Sequence, residues 1–131
     1  MLYNRENLIE ALGEELVYID KSYNFNIDNV VFDNRETTEN SLFVARKGEN
    51  TDGHFFIKDT LENDNSTVIL AEYIPDDVKQ NPRIILVKNT VKAFEKLAIF
   101  SRARFKGNII GITGSVGKTS TKDAFYHCFS N

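Results

Sequence analysis

The residues whose types and spacing most clearly suggest chemistry form a short glycine loop that ends in a lysine and a threonine. Gly114 and Gly117 stand three residues apart, and Lys118 and Thr119 follow directly. Glycines let backbone N–H groups turn inward around phosphate oxygens, a lysine ammonium reaches the terminal phosphates, and a threonine hydroxyl ligates Mg²⁺. The spacing therefore predicts a site for a polyphosphate and Mg²⁺, formed by Thr113, Gly114, Ser115, Val116, Gly117, Lys118, Thr119 and Ser120.

A strand and a helix are expected on either side of this loop. The run Asn108–Thr113 predicts an apolar strand, and Thr121–Phe129 predicts a helix whose positive N-terminal end faces the same anion. The full motif G-x-x-x-x-G-K-[ST] is not met, because Ile112 occupies the position of its first glycine. The alternative interpretation is a structural turn in which Gly114 and Gly117 supply positive φ angles. The flanking strand and helix favour the phosphate loop.

The rest of the chain alternates strand-like and helix-like segments. Apolar runs predict strands over residues 29–33, 41–45, 66–71 and 83–87, and helical spacing predicts helices over residues 4–12, 54–63 and 89–105. Asn4 is the expected N-cap of the first helix, and Asn89 or Thr90 that of the third. This alternation is typical of the α/β class, in which helices cover a mostly parallel or mixed sheet. The run 83–87 is apolar enough to be buried on both faces. The core stripe of the last of these helices is expected to be Val91, Phe94, Leu97, Ala98 and Phe105.

Composition limits the classes of function. The chain has 131 residues and a net charge of −3, which suits one modest core, alone or with a fragment of a second domain. Residues 1–60 carry 6 basic and 12 acidic side chains, and residues 61–131 carry 10 and 7. This balance disfavours a general nucleic-acid binder and favours one small polyanion. Cys128 is the single cysteine, and no apolar run has membrane length, so a soluble cytoplasmic protein is expected.

Further motifs lie upstream of the glycine loop. Asp33-Asn34-Arg35 follows a predicted strand, and residues 41–55 read Ser-Leu-Phe-Val-Ala-Arg-Lys-Gly-Glu-Asn-Thr-Asp-Gly-His-Phe. With the Thr-Gly-Ser-Val-Gly-Lys-Thr loop at 113–119, these motifs resemble the Mur ligases, ATP-dependent amide-forming enzymes of peptidoglycan synthesis. The resemblance covers nearly the whole chain. It departs from the family pattern at Asn34, where Ser or Thr is usual, and at Glu39-Asn40, where Pro-Gly is usual.

The resemblance implies an N-terminal domain over residues 1–106, a small mixed sheet with flanking helices that holds the uridine diphosphate end of a nucleotide sugar. It implies substrate-binding roles for Asp33, Asn34, Arg35, Lys47, Gly48, Glu49 and Asn50. An amide at Asn34 suits a uracil edge, and Lys47 or Arg46 suits a phosphate. The alternative is that Asp33 and Arg35 merely pair at a strand end, while Gly48 only makes a turn.

Residues 107–131 would then be the first strand, phosphate loop and helix of an incomplete ATP-binding domain. The resemblance implies ATP and Mg²⁺ as cofactors, ATP binding by residues 113–120, a catalytic Lys118 and a metal-ligating Thr119. The whole ligase would join D-alanyl-D-alanine to UDP-N-acetylmuramoyl-tripeptide through an acyl phosphate. The 131 residues alone are expected to be inactive, with segment 108–131 loosely held or packed against a second copy. No Gly or Pro follows Tyr126, so the last helix is expected to run on to Asn131.

Three alternatives stay open. They are the related ligase that adds the third peptide residue, a non-catalytic nucleotide-sugar-binding module, and an unrelated phosphate-loop kinase. Ser115 and Thr121-Lys122 favour the branch of the family that adds the dipeptide. His54 and His127 have no partners at metal spacing and are expected to be structural, and Cys128 is expected to be packed or exposed.

Overall fold

The protein is built on one sheet with helices on both faces, and the computed structural model describes residues 1–129. The strands are β1 Tyr3–Asn4, β2 Leu16–Tyr18, β3 Asn26–Ile27, β4 Asn29–Val31, β5 Ser41–Val44, β6 Val68–Ala71 and β7 Ile84–Val87. The α-helices are α1 Arg5–Leu12, α2 Ile57–Asn63, α3 Thr90–Arg104 and α4 Lys118–Phe129, and short 3-10 turns span Gly13–Glu15, Asn34–Glu36 and Gly53–Phe56. The prediction that the last helix reaches Asn131 concerns two residues outside the described range.

The main sheet has five strands in the order β2-β7-β6-β5-β4. The pairs β4–β5, β5–β6 and β6–β7 are parallel, and β2 pairs with β7 antiparallel at one edge. This confirms the α/β class with a mostly parallel sheet. Because parallel strands end at the same side of a sheet, the segments that follow β4, β5 and β6 emerge next to one another.

Alternate side chains of the sheet contribute to two cores. One core packs α1 and α3 against the face that includes Leu42, Leu70 and Ile85. The other packs α2, through Ile57, against the face that includes Phe43. Burial on both faces explains why β5, β6 and β7 are apolar nearly throughout.

The predicted core stripe of α3 is wrong in part. Leu97 is buried as expected, but Val91, Ala98 and Phe105 are exposed, and the buried face is instead centred on Ala93. The buried Ala93 and Leu97 lie four residues apart on one face of the helix, and Phe100 packs beside them. The predicted N-cap is confirmed, because the Asn89 side chain accepts a hydrogen bond from the Lys92 backbone N–H at 2.9 Å.

The connection into β5 contains a residue with a left-handed backbone. Asn40 has φ of 60°, a conformation that asparagine adopts more readily than most other residues with a side chain. Its side chain donates a hydrogen bond to Asp28, and its backbone N–H donates to the Ser66 hydroxyl. Asparagine therefore adopts the conformation that favours glycine and adds one side-chain hydrogen bond, to Asp28, near the start of β5.

The segment from residue 106 to residue 129 differs from its prediction. Residues 108–113 form no strand, because none of the described strands lies beside them to complete a hydrogen-bonded ladder. The predicted helix is present as α4 and begins at Lys118, three residues earlier than expected. Nearly every described residue of this segment is exposed. Within residues 1–129, no helix combines the length and apolarity that a membrane crossing requires.

Candidate functional site

A cleft of about 670 Å³ lies at the carboxyl ends of β4 and β5. Its walls include five of the residues assigned to substrate binding from the sequence: Asp33, Asn34, Arg35, Gly48 and Asn50. They come from two loops that are separated along the chain by β5. Lys47 and Glu49, two other residues in this assignment, are not among the wall residues. The parallel register of β4 and β5 is what brings the two motifs together.

The first loop is organised by Asp33, the N-cap of the 3-10 turn that follows β4. Its carboxylate accepts hydrogen bonds from the Arg35 backbone N–H at 2.9 Å and from the Arg35 guanidinium at 2.6 Å. These bonds lower the pKa of Asp33 from 3.8 to about 2, with the Arg35 side chain contributing most. Asp33 and Arg35 therefore pair, as the structural alternative expected, and they do so at the rim of the cleft. Between them, the Asn34 carboxamide makes no hydrogen bond to any residue in the range 1–129 and is available to a ligand.

The second loop, Arg46–Gly53, is a tight hairpin. The Gly48 N–H donates to the Thr51 carbonyl at 2.8 Å, and the Gly53 N–H donates to the Arg46 carbonyl at 2.9 Å. A Cβ atom at Gly53 would lie 2.9 Å from the Arg46 backbone nitrogen, which is closer than real Cβ contacts. A glycine is required at position 53 because the two sides of the hairpin approach each other closely there. Gly48 forms part of the turn at the hairpin tip. This geometry fixes the walls formed by Gly48 and Asn50.

Five wall residues were not singled out from the sequence: Phe32, Thr51, Gly53, Phe56 and Asp59. A sixth, Arg46, was one of the two residues suggested for a phosphate contact. Phe32 leaves the end of β4 with 43% of its surface exposed, and its ring packs edge-on against Phe94 of α3 at 4.8 Å. The Arg46 guanidinium lies 5.6 Å from the centre of the Phe32 ring, and among residues 1–129 it has no carboxylate partner. The signal for Phe32 was present in the sequence, since a large aromatic residue directly before a polar motif at a strand end is placed to line a site.

A hydrogen-bonded cluster adjoins the hairpin. His54 is 1% exposed, and its Nδ1 lies 2.6 Å from Asp52 Oδ1. Its Nε2 accepts the backbone N–H of Glu72 at 3.0 Å. Burial opposes ionisation of Asp52, but hydrogen bonds from the His54 backbone, the His54 ring and the Tyr73 hydroxyl together hold the pKa of Asp52 below its usual value. His54 therefore has the structural role expected from the sequence.

The glycine loop lies apart from the cleft. Gly114 has φ of 149° and Gly117 has φ of 78°, so both adopt backbone conformations that side chains disfavour. Lys118 begins α4, and the Thr121 N–H donates to the Gly117 carbonyl at 3.0 Å. The eight residues assigned to polyphosphate binding are all exposed, with Val116 at 91%. Both the phosphate loop and the simple turn require these two glycines, so the backbone fits either interpretation.

The glycine loop carries the kinds of groups that bind a magnesium polyphosphate. The loop places a hydroxyl-bearing Thr119 and the Lys118 ammonium in the first turn of α4, where backbone N–H groups lack helical partners. Within residues 1–129, no three His, Cys, Asp or Glu side chains group closely enough to hold a metal ion by themselves. His127 and Cys128 lie on the exposed surface of α4.

Comparison with known proteins gives a consistent set of relatives, although no family model matches the chain. The UDP-N-acetylmuramoyl-tripeptide–D-alanyl-D-alanine ligase of Rickettsia prowazekii is 37% identical over 95% of this chain and 26% of the relative. The UDP-N-acetylmuramoyl-L-alanyl-D-glutamate–2,6-diaminopimelate ligase of Clostridioides difficile is 36% identical over 82% of this chain and 22% of the relative. The crystal structure of MurF ligase from Thermotoga maritima in complex with ADP has a TM-score of 0.59 and 38% identity over 79% of this chain and 23% of that structure.

These similarities concern one part of much longer proteins. The chain spans about a quarter of the length of the curated relatives it matches. The matched region includes both the sheet and the glycine loop in the longest alignment, which runs over 124 residues.

Proposed function

The chain belongs to the Mur ligase family, and from this premise we propose that its cleft binds the uridine diphosphate end of a nucleotide-sugar peptide. The proposal rests on one observation. Asp33-Asn34-Arg35 and the Arg46–Gly53 hairpin line the same cleft, at the ends of two parallel strands. Ligands of α/β proteins bind characteristically at this edge.

The cleft has the donor and acceptor groups that such a ligand needs. The unpaired Asn34 carboxamide both donates and accepts, which matches the edge of a uracil ring. The Arg46 guanidinium has no carboxylate partner within the described chain, so it is free to contact a diphosphate. The exposed face of Phe32 offers an apolar surface of the size of a base. Asp33 and Arg35 neutralise each other and shape the rim.

We propose that the glycine loop binds ATP with Mg²⁺ as part of an ATP-dependent ligase of peptidoglycan synthesis. Residues 113–120 would surround the phosphates, and Thr119 would ligate the metal, which supplies charge stabilisation at the transferring phosphoryl group. Lys118 would hold the terminal phosphate oxygens while a peptide carboxylate attacks, giving an acyl phosphate and ADP. An incoming amine then displaces phosphate. Support comes from the Lys118-Thr119 pair at the start of α4 and from a solved relative that holds ADP.

Two ligase reactions are candidates for the whole protein. Relatives that add D-alanyl-D-alanine and relatives that add 2,6-diaminopimelate match at nearly equal identity, 37% and 36%. We propose the D-alanyl-D-alanine reaction because Ser115 and Thr121-Lys122 favour it in the glycine loop. Two assays of the protein in its full genomic reading frame, each with ATP, decide between them: UDP-N-acetylmuramoyl-tripeptide with D-alanyl-D-alanine, and UDP-N-acetylmuramoyl-L-alanyl-D-glutamate with 2,6-diaminopimelate. Product formed only in the diaminopimelate assay would refute this choice.

We further propose that residues 1–106 form the substrate domain and that residues 107–131 begin the ATP-binding domain. Under this division the 131 residues bind nucleotide sugar but have no ligase activity, because no described strand packs beside the exposed glycine loop. The alternative that the chain is a non-catalytic binding module also predicts binding without ligase activity. Release of ADP by the 131-residue protein, dependent on both substrates, would contradict the proposal.

The binding proposal is tested by titrating the protein with UDP and following backbone amide signals by NMR. We expect the signals of Asn34, Gly48 and Asn50 to shift, while those on the opposite edge of the sheet stay constant. Replacing Asn34→Ala removes one hydrogen-bonding side chain and is expected to weaken UDP binding by about 3- to 10-fold. Asn65→Ala, the same change at an exposed amide away from the cleft, is the matched control. Saturation of the protein without shifts in the two cleft loops would refute the proposed site.

A further inference from the structure

The Asp52-Gly53-His54 motif contributes only Gly53 to the cleft wall. His54 is nevertheless almost completely buried, and both of its ring nitrogens have partners. Because Nε2 accepts the Glu72 backbone N–H, Nε2 carries no proton, and the ring proton lies on Nδ1 facing Asp52. The His54 ring thus forms a rigid bridge from the end of β6 to the returning leg of the hairpin.

Tyr73 completes this bridge from outside. Its ring stacks on His54 with a centroid distance of 4.1 Å and an interplanar angle of 8°, and its hydroxyl donates to Asp52 Oδ2 at 2.9 Å. Asp52 therefore accepts hydrogen bonds on both carboxylate oxygens, with Oδ1 also receiving the His54 backbone N–H at 3.0 Å. These bonds fix the carboxylate in position and orientation. None of the three side chains lines the cleft.

The position of Asp52 is coupled to the cleft wall through the hairpin itself. Asp52 forms a bridge with Lys47 across the two legs, and the next residue, Gly53, hydrogen-bonds to Arg46. The hairpin tip, which includes Gly48 and Asn50, is exposed and has no buried side chain to anchor it. The base of the loop must therefore determine where the tip lies.

We propose that Asp52, His54 and Tyr73 form a positioning cluster, which holds the Arg46–Gly53 hairpin in the geometry that binds the nucleotide diphosphate. This inference rests on the proposed function of the cleft. Preorganising a loop removes the entropy cost of ordering it on binding. Loss of the cluster is expected to weaken ligand binding, although none of its three side chains contacts the ligand.

Two pairs of variants test the cluster, with UDP as the probe. Asp52→Asn keeps an acceptor for the His54 N–H groups and a polar partner for the Tyr73 hydroxyl, whereas Asp52→Ala removes both. We expect Asp52→Ala to raise the Kd for UDP by about tenfold and Asp52→Asn to leave it within about threefold. Tyr73→Phe keeps the ring stack, whereas Tyr73→Leu removes both the stack and the hydrogen bond. Tyr73 is 45% exposed, so neither change threatens the fold.

Asp64→Ala is the matched control. The Asp64 carboxylate accepts bonds from Ser66 and Thr67 at the opposite end of β6, and it lies outside the cleft. A general loss of stability would affect Asp64→Ala and Asp52→Ala alike, whereas a positioning role affects UDP binding only in the second. Hydrogen exchange at the Gly48 and Gly53 amides, which are hydrogen-bonded within the hairpin, is expected to accelerate without ligand in Asp52→Ala and Tyr73→Leu alone.

The outcomes separate the two proposals. If the unaltered protein binds UDP and Asp52→Ala binds it equally well, the cluster does not position the hairpin and the inference is wrong, while the proposed function stands. If the unaltered protein does not bind UDP, the proposed function fails and the inference fails with it. Weaker binding in Asp52→Ala, with recovery in Asp52→Asn and no effect in Asp64→Ala, supports both.

Discussion

The cleft and the glycine loop carry sequence motifs of similar clarity, but the fold supports them very differently. The cleft loops follow strands of the packed sheet, and the hydrogen bonds of Asp52, His54 and Tyr73 stabilise the second of these loops. The glycine loop follows a run that pairs with no described strand, and it is exposed from end to end. A motif defines which groups a site contains, whereas the surrounding packing defines whether those groups are held in a working arrangement. Three predictions, in order of decreasing effect, test this contrast.

The largest effect is expected from truncating an apolar side chain in each region. Phe43 of β5 is fully buried, so Phe43→Ala should destabilise the protein by about 3–5 kcal/mol through lost contacts and a cavity. Ile110 is 60% exposed in the run before the glycine loop, and Ile110→Ala should change stability by less than about 0.5 kcal/mol. Urea unfolding followed by circular dichroism measures both values. A comparable cost for the two variants would show that the second region is packed in solution.

A smaller effect is expected from adding one methyl group to a glycine in each region. At Gly53 the new carbon meets the Arg46 backbone, which cannot move without opening the hairpin, so Gly53→Ala should cost about 1–3 kcal/mol. At Gly111 no atom lies within 4 Å and φ is not positive, so Gly111→Ala should cost nothing measurable. Thermal unfolding compares the pair. An equal melting temperature for Gly53→Ala and the unaltered protein would mean that the two legs separate easily.

The smallest effect concerns ionisation at the rim of the cleft. The Arg35 side chain and backbone lower the pKa of Asp33 from 3.8 to about 2, so its carboxylate should stay charged at pH 3, where an ordinary aspartate is largely protonated. Since the folded pKa is the lower one, this pair contributes stability above pH 4 that is lost as the pH falls toward 2. Carbon-13 NMR titration of the carboxyl groups measures the shift. Arg35→Ala removes the guanidinium but keeps the backbone N–H, so it should raise the pKa of Asp33 part of the way toward the ordinary value. An unchanged value would exclude the Arg35 side chain as the main cause.

Sequence patterns predicted the elements whose signals are local. Apolar runs located β4 to β7, and the asparagine caps at Asn4 and Asn89 marked the starts of α1 and α3. The short strands β1, β2 and β3 were not predicted, because two or three residues carry no readable periodicity. The strand expected at 108–113 was wrong for the opposite reason. Its apolar pattern is clear, but a strand also requires a neighbour that a local pattern cannot supply.

The candidate site was predictable to the extent that its residues belong to motifs. Asn34 and the Gly48 turn were identified by resemblance, and the cleft unites them. Phe32 lines the cleft wall and packs against Phe94 of α3, a residue far along the chain. The role of His54 depends on Glu72 and Tyr73 at the end of another strand. Contacts of this length follow from the order of strands in the sheet, which single-sequence patterns do not determine.

The two edge strands of the main sheet affect how the protein behaves at high concentration. One edge strand is β2, three residues long, whose register against β7 shifts between Leu16 and Tyr18. The other is β4, which is also three residues long and is soon followed by a 3-10 turn. Short or irregular edge strands present few aligned N–H and C=O groups to a strand of another molecule. The sheet is therefore a poor template for strand addition, and concentrated solutions of the protein should resist fibril growth that starts from it.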